Sequence, residues 1–415
     1  MKGSGGSRVL MLLENNTYPQ DPRVQQEARA LVDSGHQVSV ICPSNGSQPW
    51  HETIDGVHVY RFPAPPAANS FLGYFWEYGY SMFATLVISL FVLFKKGFDV
   101  AHLHNPPDTL VLIAALYKLM GKRFVFDQHD LSPELYYARF NNRGNQFVYR
   151  VLVFFEKLSC RLADHVITTN ESYKRIAMER DGVPEARITI VRNGPDLNRV
   201  RLVEPDPDLR HKAKTIIAYA GAMGFQDGLE HLLRALYHLV HDLGRTDFYC
   251  VLMGRGAAWS CLQKLAKELA LESYIWFTGW LPDPELMRYL STADICVDPD
   301  PSSAYNDRST TIKMMEYMAL GKPIVAFDLP EHRFTAQASA TYVRPNDELE
   351  FARALAQLMD DPLQRKMMGA FGRRRVETAI AWQHSVPHLL ETYSGLTEAR
   401  RAGRPSLTPT KEKKA

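Results

Sequence analysis

At 415 residues, with 48 Lys and Arg against 46 Asp and Glu, the chain is long enough for two cores and too evenly charged to read as a nucleic-acid binder. Its five cysteines (Cys42, Cys160, Cys250, Cys261 and Cys296) lack CxxC spacing, so neither a disulfide framework nor a zinc site is indicated. No apolar leader follows Met1, and a reducing cytoplasmic location is expected.

From Arg8 to Arg192 short apolar strands alternate with helical segments, the pattern of a parallel sheet covered on both faces. Strands are predicted at Val9–Leu13, Val38–Cys42, Val57–Arg61, Val100–Leu103, Phe124–Phe126, His165–Thr168 and Ile188–Val191. Helices are predicted near Pro22–Ser34, Leu72–Lys95, Asp108–Met120, Asn145–Leu162 and Glu171–Arg180. Within the second of these, Tyr78 to Phe94 carries no charge and stops at Lys95 and Lys96. It falls just short of the ~18 to 20 residues that cross a bilayer. Crossing would also put strands of one sheet on opposite sides of a membrane. Two placements remain: a fully buried helix, or one that dips Phe83, Leu86, Leu90 and Phe94 into a membrane interface.

Prolines 195, 205 and 207 with mixed charges mark a linker over 196–212. The pattern then restarts with a strand at Thr215–Tyr219, a turn rich in glycine (Gly221, Gly224, Gly228) and a helix at Leu229–Leu243. Further strands fit Phe248–Met253, Tyr274–Thr278, Ile295–Val297 and Ile324–Ala326. The expected organisation is an N-terminal domain over 1–195, the linker, and a C-terminal domain over 213–380. A helix over 381–398 would then cross back to the first domain. The basic stretch 399–415, with Arg400, Arg401, Arg404, Lys411, Lys413 and Lys414, has the composition of a disordered tail that could touch an anionic surface. The fold class is α/β, two doubly wound Rossmann-like domains facing a central cleft, with ligands expected at the carboxyl ends of the strands.

Several groups near those strand ends could do chemistry. Asn306 to Pro323, NDRSTTIKMMEYMALGKP, reads as one helix capped by Ser309 or Thr310 and stopped by Gly321 and Pro323. Ile312, Met315 and Ala319 would face a core, with Lys313 and Glu316 beside them. The free N–H groups of its first turn suit a phosphate, and Glu316 can accept from sugar hydroxyls. An amphipathic surface helix with a salt bridge is the alternative. In the first domain His129 ends a strand and can donate to a substrate hydroxyl, with Asp130 or Asp127 setting its tautomer. Asn105 or Asp108, at a neighbouring strand end, could line an acceptor pocket. His102 and His104 share a strand face, but two ligands are too few for a metal and no HExxH appears. Asp298-Pro299-Asp300 has DxD spacing, yet its central proline favours a plain turn. Gly221 to Gly228 lacks the GxGxxG spacing of hydride-transfer enzymes, and Gly254-Arg255-Gly256 brings flexible backbone and one cation to the same edge.

Taken in order, these features resemble a GT-B glycosyltransferase of the large retaining group called family 4. The resemblance runs from Arg8 to Tyr393. It includes Asp21-x-Arg23-Val24-x-x-Glu27-Ala28 with Gly35-His36-x-Val38, and Asn193-Gly194-Pro195-Asp196. Its most specific part is Glu316-Tyr317-Met318-Ala319-x-Gly321-x-Pro323. The resemblance implies that Glu316 binds the ribose of a nucleotide sugar and that the loop before it cradles sugar and diphosphate. It implies no metal and no protein nucleophile. On this basis His129, Asp130, Asp307 and Glu316 are the expected catalytic set. Asn193, Gly221, Ala222, Gly254, Arg255, Asn306, Arg308, Ser309, Thr310, Thr311 and Lys313 join Glu316 around the donor, and Asp21, Arg23, Asn105 and Asp108 fall on the acceptor side.

Two departures stand out. Arg308 occupies the place of a second glutamate found in many relatives, so Asn306 or Asp307 would take over the sugar contacts. The turn Gly221-Ala222-Met223-Gly224-Phe225-Gln226-Asp227-Gly228 also lacks the usual Arg and Lys, which leaves the diphosphate to Arg255, Lys313, Arg308 or backbone N–H groups. The implied reaction moves a sugar with retention from a nucleotide diphosphate, UDP favoured over GDP, with donor phosphate as base and domain closure excluding water. A polyprenyl-linked acceptor in surface polysaccharide synthesis is expected, with the enzyme peripheral on the inner face of the plasma membrane. Rival readings are an epimerase or phosphorylase of the same fold, or a non-catalytic partner subunit.

Overall fold

The computed structural model describes residues 6–65, 71–140 and 144–402. The first domain contains β1 Arg8–Leu12, α1 Pro22–Asp33, β2 Gln37–Ser44, β3 His51–Ile54, β4 Val57–Pro63, α2 Phe71–Lys95, β5 Val100–His104, α3 Val111–Leu119, β6 Arg123–Gln128, α4 Ser132–Arg139, α5 Gln146–Leu162, β7 His165–Thr168, α6 Glu171–Glu179 and β8 Ile188–Ile190. Its sheet runs β3-β4-β2-β1-β5-β6-β7-β8, parallel except for the antiparallel β3–β4 pair. β5 is buried at every position, His102 and His104 included, as a central strand of a sheet covered on both faces should be. One face packs on α2, α3 and α5, the other on α1. α1 starts where it does because Pro22 fixes its first turn and the Asp21 carboxylate accepts the Val24 N–H at 2.9 Å.

The second domain contains α7 Pro207–Arg210, β9 Thr215–Ala220, α8 Leu229–His241, β10 Phe248–Met253, α9 Trp259–Glu268, β11 Ile275–Gly279, α10 Asp283–Thr292, β12 Ile295–Asp298, α11 Ile312–Ala319, β13 Ile324–Phe327, α12 Pro330–Ala336, β14 Ala340–Val343, α13 Glu348–Asp360 and α14 Pro362–Arg375. Its parallel sheet runs β11-β10-β9-β12-β13-β14. Both β3 and β14 are short edge strands whose half-exposed residues left no apolar run to read. The segment expected as a linker is not loose. Val200 and Leu209 lie in the second core, and Thr292 Oγ1 accepts the Asp206 N–H at 2.7 Å.

α15, Trp382–Ala402, lies against α1 and β8, with Tyr393 buried and its hydroxyl 2.8 Å from His102 Nδ1. Arg400 and Arg401 fall inside this helix, and the tail from 403 onward lies outside the described residues. α2 is not the fully buried helix that its apolar run allows. Ser81, Thr85 and Ser89 face the sheet while Trp76, Phe83 and Phe94 face solvent.

Candidate active site

The first wall of the cleft is built on the carboxyl end of β6. Asn105 Oδ1 accepts the backbone N–H groups of both His129 and Asp130, at 2.9 and 3.1 Å. Its amide donates to the Asp130 carbonyl at 2.7 Å and to Asp108 Oδ1 at 3.1 Å. Asn105 and Asp108, expected to line an acceptor pocket, are instead buried splints for the His129 loop. Burial pushes the Asp108 carboxyl up to about 6. Asp127, not Asp130, faces the imidazole, with Oδ2 3.3 Å from His129 Nδ1 and 2.9 Å from His104 Nδ1. Burial works against the imidazolium of His129, but the Asp127 carboxylate outweighs it and raises the pKa.

Asp127 has a second partner in Arg23, whose guanidinium forks onto it at 2.6 Å through both nitrogens and reaches Glu27 at 3.1 Å. Burial disfavours the Asp127 carboxylate, yet Arg23 and His129 together hold its pKa well below the ordinary range. Arg23 also donates to the Val191 carbonyl and to Asn193 Oδ1. Asp21 and Arg23 therefore do not form an acceptor surface: one caps α1, and the other is a buried counter-ion under His129. Asn193, expected at the donor, is spent on Arg23.

The second wall differs from a single helix over 306–323. Only Ile312–Ala319 is helical; 304–308 form turns, because the hydroxyls that looked like caps have other partners. Ser309 Oγ meets Tyr173 Oη at 2.8 Å and donates to the Tyr305 carbonyl at 2.9 Å. Thr310 Oγ1 donates to Glu331 at 3.1 Å, and Thr311 Oγ1 donates to Asp298 at 2.7 Å. Thr311 is the residue at the N-cap, and it makes no capping bond, so the first turn of α11 keeps N–H groups without a side-chain partner.

Lys313 sits between Asp298 at 3.2 Å and Asp300 at 2.6 Å, beneath the Tyr219 ring. The DxD residues are thus buried counter-ions and not a plain turn. Burial and the neighbouring Asp298 raise Asp300 well above the carboxylate range. Lys313, with its charge balanced, is not a free cation for a diphosphate. Glu316 is ion-paired with Arg199, a residue that sequence reasoning missed because it lies in the supposed linker. Burial raises the Glu316 pKa, and Arg199 only partly offsets this.

Around them, Asn306 ties its loop to the glycine turn by donating to the Gln226 and Pro301 carbonyls, both at 2.9 Å. Asp307 accepts from Ser302 at 3.2 Å, and Arg308 donates to the Ala304 carbonyl at 2.5 Å. The strand ends carrying Gly221-Ala222 and Gly254 approach so closely that a Cβ at Gly254, φ +133°, would lie 1.9 Å from the Gly221 carbonyl oxygen. Arg255 is exposed and stacks over Trp259 at 5.1 Å. Burial raises the pKa of both Asp130 and Asp227, and Arg139, at the end of α4, is among the charges that oppose the rise at each; α4 itself packs against the glycine turn at 225–227.

The walls touch. Tyr305 Oη donates to Asp130 Oδ1 at 2.8 Å, Asn170 Nδ2 to the Arg308 carbonyl at 2.8 Å, and Ser172 to Glu331 at 2.6 Å. Arg192 reaches Thr310 at 3.3 Å and stacks on Phe334. Tyr305, Asn170 and Arg192 carry no motif. Only the packing of the two domains brings them to the site.

A model of glycosyl transferase 4-like domains matches residues 20–194, and one of glycosyl transferases group 1 matches 214–361. The chain is 28% identical over 150 residues to D-inositol 3-phosphate glycosyltransferase of Thermomonospora curvata, a stretch covering 36% of this chain and 33% of that relative. It is 24% identical over 401 residues to glycogen synthase of Mycobacterium tuberculosis, covering 92% of each. Its fold superimposes on Anabaena Alr3699/HepE in complex with UDP-glucose with a TM-score of 0.70 at 16% identity, over 94% of this chain and all of that one. With both halves matched and the two-domain architecture shared, the chain belongs to the group 1 glycosyltransferases of the GT-B fold.

Proposed function

We propose that the cleft transfers a sugar from a nucleoside-diphosphate sugar to an acceptor hydroxyl with retention, and that this needs no metal. The observation that carries the reading is the buried carboxylate of Glu316 one turn behind the uncapped start of α11, on a wall that meets the His129 loop through Tyr305 and Asp130. Ribose hydroxyls donate to Glu316 in exchange for Arg199. The diphosphate sits on the first-turn N–H groups of α11, with Arg255 and Arg139 supplying charge that Lys313 does not. His129, whose protonated form Asp127 favours, donates to the transferred sugar, and a donor phosphate oxygen takes the proton of the acceptor. UDP is the favoured base, supported by the UDP-glucose complex of the Anabaena neighbour. The acceptor is a lipid-linked sugar and the enzyme works at a membrane surface.

A thermal-shift screen against UDP, GDP, ADP and dTDP and their sugars tests the donor, because a ligand that binds only the folded state raises its melting temperature. UDP and a UDP-sugar are expected to stabilise the protein. If no nucleotide does, or if donor alone is epimerised without acceptor, the reading fails.

A further inference from the structure

We propose that the outer faces of α2, α3 and α5 form one docking surface for an anionic lipid bilayer, with α2 lying flat in the interface. A helix on a water-soluble domain turns its large apolar side chains inward and its polar ones outward. α2 is apolar on both sides: Val92 is buried and Leu86, Leu90 and Leu93 pack against the core, yet large apolar side chains also face outward. Ser81, Thr85 and Ser89 are buried against the sheet, whereas Trp76, Phe83 and Phe94 are 68%, 67% and 83% exposed. With Ser81, Thr85 and Ser89 against the sheet, the helix lies along the surface of the domain and presents its aromatic side outward.

The neighbouring helices extend the patch. Ser89 Oγ and Tyr117 Oη, 2.5 Å apart, tie α2 to α3, which turns Leu112, Leu116 and Leu119 outward. α5 packs on α3 and exposes Phe147 and Phe154. An apolar face continuous over three helices exceeds what scattered surface residues account for.

Charge selects the occupant. Lys95, Lys96, Arg150 and Arg161 are exposed at the rim. The acids within these three helices are Glu77, half-buried, and Glu156, buried and paired with Arg180 at 2.6 Å. A second copy docking here would bring two basic rims together, whereas anionic headgroups complement the rim while acyl chains receive the aromatic side chains. This surface deepens the reading of a lipid-linked acceptor and rests on none of the donor-site residues.

The test is co-sedimentation of the full chain with vesicles of phosphatidylcholine alone or of equal parts phosphatidylcholine and phosphatidylglycerol. Wild type is expected to pellet with the anionic vesicles and far less with the neutral ones. Phe83→Ser/Phe94→Ser and Lys95→Glu/Lys96→Glu should each lose at least about tenfold in partitioning. Stabilisation by nucleotide is read in the same samples and should persist in both variants. Its absence from all samples would sink the donor site and leave this surface standing. Wild type left in the supernatant, or variants that pellet like wild type, would overturn the proposal. So would a concentration-dependent dimer in light scattering that the phenylalanine variant abolishes.

Discussion

Replacing Lys313 with methionine separates a structural cation from a phosphate-binding one. In the structure the ammonium is 10% exposed between carboxylates that are 0% and 6% exposed. Removing one partner of such a buried set costs about 3–5 kcal/mol, since the remaining charge is stranded. Asp300 sits at the protonation-prone end of the pair, its pKa already raised well above the ordinary range by burial and by Asp298. It takes up a proton once Lys313 is gone, which relieves the repulsion and places the cost near 3 kcal/mol. For a domain of this size that corresponds to a fall of roughly 6–12 °C in melting temperature. Scanning calorimetry that resolves the second domain's transition reads it directly. Lys313→Met/Asp298→Asn should recover most of the loss, and the deficit of the single variant should shrink as pH falls. A single variant that melts within about 2 °C of wild type but binds nucleotide more weakly would refute the reasoning and return Lys313 to the diphosphate.

Glu316→Ala is expected to abolish transfer and weaken donor binding by ~1–3 kcal/mol, measured by titration calorimetry; unchanged affinity in a folded variant would count against the ribose contact. Arg199→Ala removes the group that holds the Glu316 pKa down, so donor affinity in that variant should decline as pH falls, and a flat profile would exclude competition at this carboxylate. The contribution of two buried carboxyls to first-domain stability should decrease as pH rises, against the buried imidazoles of His102 and His104, whose lowered pKa works the other way below about pH 6.5. Burial raises the folded pKa of Glu27 to about 8 and of Asp108 to about 6, so the stability present below their unfolded values, roughly 4, is lost up to about pH 8. His129, also raised, adds in the same direction, and Glu27→Gln should flatten the denaturation profile over that window. Tyr305→Phe breaks the bond to Asp130 that joins the walls, at a net cost of about 0.5–1.5 kcal/mol, and should increase the radius of gyration and the donor KM together.

Much of the fold was legible because strand and helix periodicities are local. The alternation from Arg8 onward implied parallel sheets buried on both faces, and the restart at Thr215 implied a second one. What failed had non-local causes. The helix over 306–323 looked capped by Ser309 or Thr310, but Tyr173 and Glu331 from distant elements hold those hydroxyls, and helix begins only at Ile312. Asp298 and Asp300 read as a turn because nothing nearby in sequence announces that Lys313 folds back between them. Arg23 and Asp127 lie 104 positions apart, so their pairing had no signature in spacing.

By itself, then, the sequence determined the α/β class, the division into two domains, the family, and the positions of His129 just past a strand end and of Glu316 one turn into a helix, because periodicity and motif spacing are short-range. The tertiary structure alone decided which charges are free. It buried Arg23 and Lys313 as counter-ions, set Arg199 on Glu316 and turned the aromatic side of α2 to solvent, since burial and pairing depend on what the fold brings within a few ångströms.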